Sequence, residues 1–388
     1  MGMWIGRNRK ARVTYGFDDI ALVPGDITIN PNEVDTTFQL GPHKIKVPIL
    51  ASAMDGVVDV NFAIAMGKLG GVAVLNLEGV QTRYKEPAEI LDKIANATKE
   101  EATHLTQEIY RKEEVKDELV AQRVKEIKAA GVLCAVSAIP QRAEKFGAIA
   151  QAAGADIFVV QSTVSTVKHI STEYKTLDIA AFCKQMKIPV IIGNTVTYSA
   201  TLELMQCGPA AILVGVGPGA ACTTRGVLGL GVPQVTGTVD CAAARDYYHK
   251  QTGRYVPIIT DGGMNKGGDI CKAFACGADA VMIGSAFARC KEAPGRGYHW
   301  GMATPHANLP RGTRVRVGVT GTVKQILFGP AELDDGSQNL MGALMTCMGN
   351  VGKKNIKEFQ ETEIIIAPAI KTEGKVFQTV QGVGMGSK

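Results

Sequence analysis

The nine cysteines include no CxxC pair; their number is odd, their spacing is irregular, and the nearest two are Cys271 and Cys276. That argues against a disulfide framework and for reduced thiols in a reducing compartment. No run of about 18 apolar residues occurs, so no membrane span is expected. The N-terminal MGMWIGRNRKAR lacks the apolar stretch of a secretory signal. A cytoplasmic location is therefore expected. Charge of one sign is scarce: the formal net charge is +5 over 388 residues. This excludes the dense basic surface that nucleic-acid binding needs, so no nucleic acid is expected as a partner. Low-complexity segments are absent, and so is a dinucleotide-binding glycine fingerprint. What remains is an ordinary globular balance, 46% hydrophobic and 20% charged. At this length the chain can bury a large core without covalent staples.

Eight short apolar runs recur, each followed by Gly, Asn or Ser and, in most cases, by a helical pattern. They are PILASAM (48–54), GVAVLNL (71–77), VLCAVSA (132–138), DIFVVQS (156–162), PVIIGN (189–194), AAILVGV (210–216), YVPIIT (255–260) and ADAVMIG (278–284). Helical patterns at 60–70, 198–208 and 266–277 separate some of them, and the last two end in Cys-Gly, a helix-terminating pair. Strands apolar on both faces and alternating with helices imply a parallel sheet. Eight such units predict a single (β/α)8 barrel with irregular loop insertions over residues 1–388; an open doubly wound sheet is the alternative. Residues 80–130 read as a charged helical insertion covering the barrel's outside. Residues 292–330, rich in Gly, Pro and Arg, read as irregular loop, and 370–388 as a Gly-rich tail.

In such a barrel the chemistry sits where strands end and loops begin. After the sixth run comes VGVGPGAACTTRG (214–226), where Gly215, Gly217 and Gly219 leave almost no side chain before Cys222, Thr223, Thr224 and Arg225. Glycine permits close approach of backbone to a ligand. A thiol on such a loop, near a cation, is a candidate nucleophile. The other eight cysteines read as small buried hydrophobes. After the seventh run, Asp261 is followed by Gly262 and Gly263; after the eighth come Gly284 and Ser285. A carboxylate there can accept from a ribose diol, and the glycine amides can cradle a phosphate.

The segment GVGPGAACTT resembles the signature loop of the IMP dehydrogenase / GMP reductase family. ASAMD (51–55), DGGMNKGGDI (261–270), VMIGSAFA (281–288) and EAPG (292–295) resemble that family's other motifs in the same order. The likeness is nearest to the IMP dehydrogenase-related subgroup without the CBS-domain pair, since residues 80–130 lie where that pair would be inserted and are too short to hold it. The resemblance implies that Cys222 attacks C2 of the purine and that Thr224 helps to activate water. It implies that Ser52, Met54, Asp261, Gly263, Gly284, Ser285, His299, Gly301 and Met302 bind IMP or XMP. Gln161, Ser162, Asn194 and Gly215 would face the NAD or NADP cofactor, and the carbonyls of Gly217, Gly219 and Cys222 would hold a monovalent cation such as potassium. A homotetramer or octamer is implied as well.

The sequence departs from the family pattern in several places. Gln161 stands where dehydrogenases usually carry an aspartate, Ala220 where a serine is usual, and Leu213 where an arginine is usual. The Arg-Tyr dyad of the family's flap has no counterpart between Met302 and Arg311, and Arg311 itself occupies the position of a Gln or Glu. The missing Glu disfavours a reductase and leaves Arg311 or Arg314, with Thr224, to activate water. Oxidation of IMP to XMP in guanine nucleotide synthesis is the leading reading. NADPH-dependent reduction of GMP and a non-catalytic nucleotide-binding regulator stand as alternatives.

Overall fold

In the computed structural model, residues 2–301 and 313–386 are described. All eight apolar runs form strands: β1 (Ile49–Ala51), β2 (Val72–Asn76), β3 (Ala135–Ala138), β4 (Ile157–Gln161), β5 (Val190–Thr195), β6 (Ala211–Val214), β7 (Ile258–Asp261) and β8 (Ala280–Ile283). They pair in chain order, every pair parallel, and β8 pairs with β1 to close the barrel. Closure removes the sheet edges and excludes the open doubly wound alternative. The helices fall where the patterns put them: α1 (Val60–Lys68) after β1, one at Tyr198–Gln206 after β5 and one at Gly267–Ala275 after β7. The latter two stop at Cys207 and Cys276, and the following Gly208 and Gly277 take φ +89° and +110°.

Because side chains alternate along a strand, each strand feeds two cores. One parity fills the barrel interior: Leu50, Val72, Val74, Ala135, Ile157, Val159, Ile191, Ala211, Leu213, Ile259, Ala280 and Met282 form one buried cluster. The hairpin pairing Phe38–Leu40 with His43–Ile45 joins that cluster and sits against Pro189, at the start of β5, so it plugs the barrel's N-terminal end. The other parity, including Ile49, Leu75, Val136, Phe158, Ile192, Ile212 and Ile258, packs under the helix ring with Phe62, Phe146, Leu204 and Phe274. Following the inward parity one step further up each strand gives Ser52, Asn76, Ser137, Gln161, Gly193, Gly215, Asp261 and Gly284. The apolar interior thus ends in a ring of polar or absent side chains at the C-terminal mouth.

The charged stretch 80–130 divides into three helices. These are α2 (Pro87–Asn96), α3 (Lys99–Lys112) and α4 (Asp117–Ala129). The last supplies Val120, Val124 and Ile127 to the barrel's outer core. Between α2 and α3, Thr98 caps α3 reciprocally with Glu101. The pair has a core of its own, in which Leu91, Ile94, Ile109 and Tyr110 meet Val80 and Trp300. The stretch is therefore solvated on one face only. Its charges mask the burial because apolar residues occupy only every third or fourth position. Residues 292–330 are not wholly irregular either. Tyr298–Trp300 pairs antiparallel with Arg314–Arg316, and a helix spans Val323–Phe328.

Candidate active site

A cavity of about 500 Å³ opens at the C-terminal mouth of the barrel. It brings together Ser52, Met54, Gln161, Ser162, Asn194, Gly215, Gly217, Gly219, Cys222, Thr224, Asp261, Gly263, Gly284, Ser285, His299 and Gly301. Apart from Arg314, every sequence-derived site residue within the described part of the chain lies on its wall. Met302 and Arg311 lie outside the described residues.

The loop after β6 is built to present one thiol. Gly215 takes φ +152°, and a Cβ there would fall 2.3 Å from the carbonyl oxygen of Asp261 and 2.9 Å from Gln234 Nε2. That amide clips the loops after β6 and β7 together by donating to Val214 O at 2.8 Å and Asp261 O at 2.9 Å. The chain then turns, with the Cys222 amide donating to Gly219 O at 3.0 Å. Cys222 is exposed, and its S–H donates to the hydroxyl of buried Thr224 at 3.2 Å. The other eight cysteines are buried or partly buried. Burial pushes the Cys134, Cys241 and Cys276 thiols up to about 12, which keeps them protonated and inert.

Across the mouth, Asp261 ends β7. Its Oδ2 accepts from Asn194 Nδ2 at 2.9 Å and Gln161 Nε2 at 3.1 Å. Burial pushes its carboxyl up to about 6, against the pull of the Asn194 amide. Gly262 and Gly263 follow with φ +83° and +80°. After β8, Gly284 leaves room for the Met54 thioether, which a Cβ would meet at 2.9 Å. Ser285 Oγ lies 3.1 Å from Nε2 of buried His299. Burial lowers the His299 pKa to about 4, so the ring is neutral, and its Nδ1 finds no partner among the described residues. Glycine amides, a serine hydroxyl and a neutral imidazole are donors suited to a phosphate.

Two features went unread in the sequence. Asn76 and Ser137 line the cavity as the last inward residues of β2 and β3; strand parity alone would have found them. Arg83 and Tyr110 also line it, but they belong to the 80–130 stretch and carry no local signal. Tyr110 donates to Asp55 Oδ2 at 2.5 Å, as does the Val80 amide, and Trp300 Nε1 donates to Tyr110 at 3.0 Å. This buried network, in which burial pushes Asp55 up to about 6, ties α3 to the strand carrying His299. One expectation is corrected. Arg314 donates to the carbonyls of Ile94, Ala95 and Ala97 and stacks on Tyr298 at 4.3 Å. Its guanidinium caps the C-terminal end of α2, where orphan carbonyls need donors, and is not available to activate water.

Comparison with known proteins agrees with this geometry. The sequence model described as IMP dehydrogenase / GMP reductase domain matches residues 14–376. An uncharacterised oxidoreductase of Mycolicibacterium smegmatis is 36% identical, with 93% of this chain and 99% of that protein covered. An inosine-5′-monophosphate dehydrogenase of Cryptosporidium parvum is 32% identical, covering 88% of this chain and 89% of its own length. A crystal structure of an IMP dehydrogenase/GMP reductase-like protein from Corynebacterium glutamicum superposes with a TM-score of 0.89 at 34% identity, covering 94% of this chain and 98% of that one. The chain belongs to the IMP dehydrogenase / GMP reductase family of oxidoreductases.

Proposed function

We propose that this protein oxidises IMP to XMP with a nicotinamide cofactor, through a covalent purine adduct on Cys222. The observation that carries this reading is the exposed Cys222 thiol, hydrogen-bonded to buried Thr224 and sharing one cavity with Asp261 and Ser285. In this reading Asp261 accepts from the ribose hydroxyls. Gly263, Gly284 and Ser285 take the phosphate, with His299 orienting Ser285, and Ser52 and Met54 hold the base against the thiol. Thr224 accepts a hydrogen bond from the thiol; as sulfur bonds to C2 the thiol proton passes to N3 of the purine, and it is released to solvent when hydride leaves C2. The cavity wall also includes Ser137, Gln141, Ser162 and Thr163. These neutral hydroxyl and amide groups suit a carboxamide ring and its sugar, so a nicotinamide cofactor fits there beside Asn194. When bound, it supplies the hydride acceptor. Water then attacks C2 of the adduct, and XMP leaves as the thiol regains a proton.

Thr224, whose hydroxyl hydrogen-bonds that sulfur, is assigned the relay of protons in both halves of the reaction. Thr224→Val keeps the shape and removes the acceptor. Turnover is expected to fall about 10²-fold with IMP binding intact, as steady-state kinetics will show. A potassium-class ion would take the carbonyls of Gly217, Gly219 and Cys222, and assembly as a homotetramer or octamer belongs to the same proposal. The direct test follows nicotinamide absorbance with IMP plus NAD, IMP plus NADP and GMP plus NADPH. Reduction of NAD or NADP by IMP is expected. Oxidation of NADPH by GMP would replace this reading with a reductase, and hydride transfer in no mixture would leave a nucleotide-binding regulator.

A further inference from the structure

We propose that Gln161 is a positioning residue for Asp261: it serves the nucleotide's sugar, not the cofactor. The inference rests on the nucleotide reading given above. Gln161 is the last residue of β4 and, following Ile157 and Val159 in parity, points into the barrel. Its Nε2 donates to Asp261 Oδ2 at 3.1 Å and to Asn194 Oδ1 at 3.2 Å, while Asn194 Nδ2 donates to the same Oδ2 at 2.9 Å. The three side chains form a closed ring of hydrogen bonds. Both amides converge on one carboxylate oxygen, which leaves Oδ1 for the sugar hydroxyls and fixes the plane in which it accepts them.

The side chains that bond Asp261 are uncharged. Gln161 pairs in register with Gly193, and Gly193 with Leu213, whose side chain is fully buried. Among the described residues only these two amides bond the carboxylate, and the other titratable groups on the cavity wall are Glu78, Arg83, Tyr110, Cys222 and His299. A carboxylate at 161 would therefore stand within hydrogen-bond distance of Asp261 with no cation between them, and two such groups share one proton at neutral pH. An amide donates instead. It favours the ionised form of Asp261 and aims it without placing a second charge beside it.

The test uses the full-length protein with Gln161→Leu and Gln161→Glu, each checked by thermal melting. IMP affinity is measured by calorimetry and kcat/KM for IMP is followed from pH 5 to 9. Gln161→Leu is expected to weaken IMP binding about tenfold, with the cofactor KM little changed. Gln161→Glu is expected to move the acid limb of the IMP profile up by about one pH unit or more. Profiles that superimpose on wild type, or variants that change only the cofactor KM, would overturn the proposal and return Gln161 to the cofactor side. Wild-type protein that fails to bind IMP would overturn the nucleotide reading itself, an outcome distinguishable from the first because it precedes any substitution.

Discussion

Replacing Cys222 with alanine is expected to lower turnover by about 10⁴-fold or more, equivalent to roughly 5 kcal/mol of barrier, while leaving IMP bound. The asymmetry follows from where the residue sits. Its side chain is exposed in the cavity and, among the described residues, its one side-chain hydrogen bond is to Thr224. Truncation therefore removes no packing, and the turn survives because it is made by the Cys222 amide and Gly219 O. In the proposed reading the ribose and phosphate contacts come from the ends of β7 and β8 and the loops that follow them. In wild-type protein, IMP plus oxidised cofactor should add the nucleotide's mass to the peptide carrying residue 222, and acid quenching followed by mass spectrometry would detect it. The alanine variant should bind IMP in calorimetry within a few-fold of wild type and yield no adduct. Substantial residual turnover would mean that hydride leaves C2 without a sulfur bond, and the covalent half of the proposal would fall.

The fold was legible because the signals that encode it are local. Each barrel strand is a short run apolar on both faces, and the two parities of that run become the two cores. The Cys-Gly pairs at 207–208 and 276–277 mark helix ends because left-handed φ follows a helix most cheaply at glycine. The site was legible for the same reason: glycine-rich loops after β6, β7 and β8 announce themselves by what they lack. Arg83 and Tyr110 were not legible, since their place in the cavity depends on how α2 and α3 dock over the mouth, a tertiary fact without periodic trace. Arg314 was misread for a related reason. An arginine near a candidate site invites a chemical role, yet this one is spent on the carbonyl end of a helix more than 200 residues earlier in the chain. Gln161 shows the reverse case, in which a residue set aside for the cofactor turns out to hydrogen-bond the carboxylate of Asp261.

Replacing Asp261 with alanine is expected to weaken IMP binding by roughly 10³-fold, because two hydrogen bonds to a charged acceptor are lost together. KM should carry the loss, with kcat at saturating IMP reduced much less, since the thiol and Thr224 stand on another loop. The pH dependence separates charge from shape. Burial raises the Asp261 carboxyl to about 6, and ribose hydroxyls donate to its ionised form, so wild-type affinity should fall about tenfold for each pH unit below 6. Asp261→Asn should bind more weakly at pH 8 and show no such acid limb. Linkage predicts a second difference with the opposite sign. A carboxyl whose folded pKa lies above its unfolded value costs the folded state stability as pH rises through that interval, from near 4 to about 6. The nucleotide-free Asn variant should therefore melt at a higher temperature than wild type at pH 7.5 and converge with it below pH 4. An Asn variant less stable than wild type at neutral pH, with unchanged IMP affinity, would show that Asp261 holds the loop together and does not read the sugar.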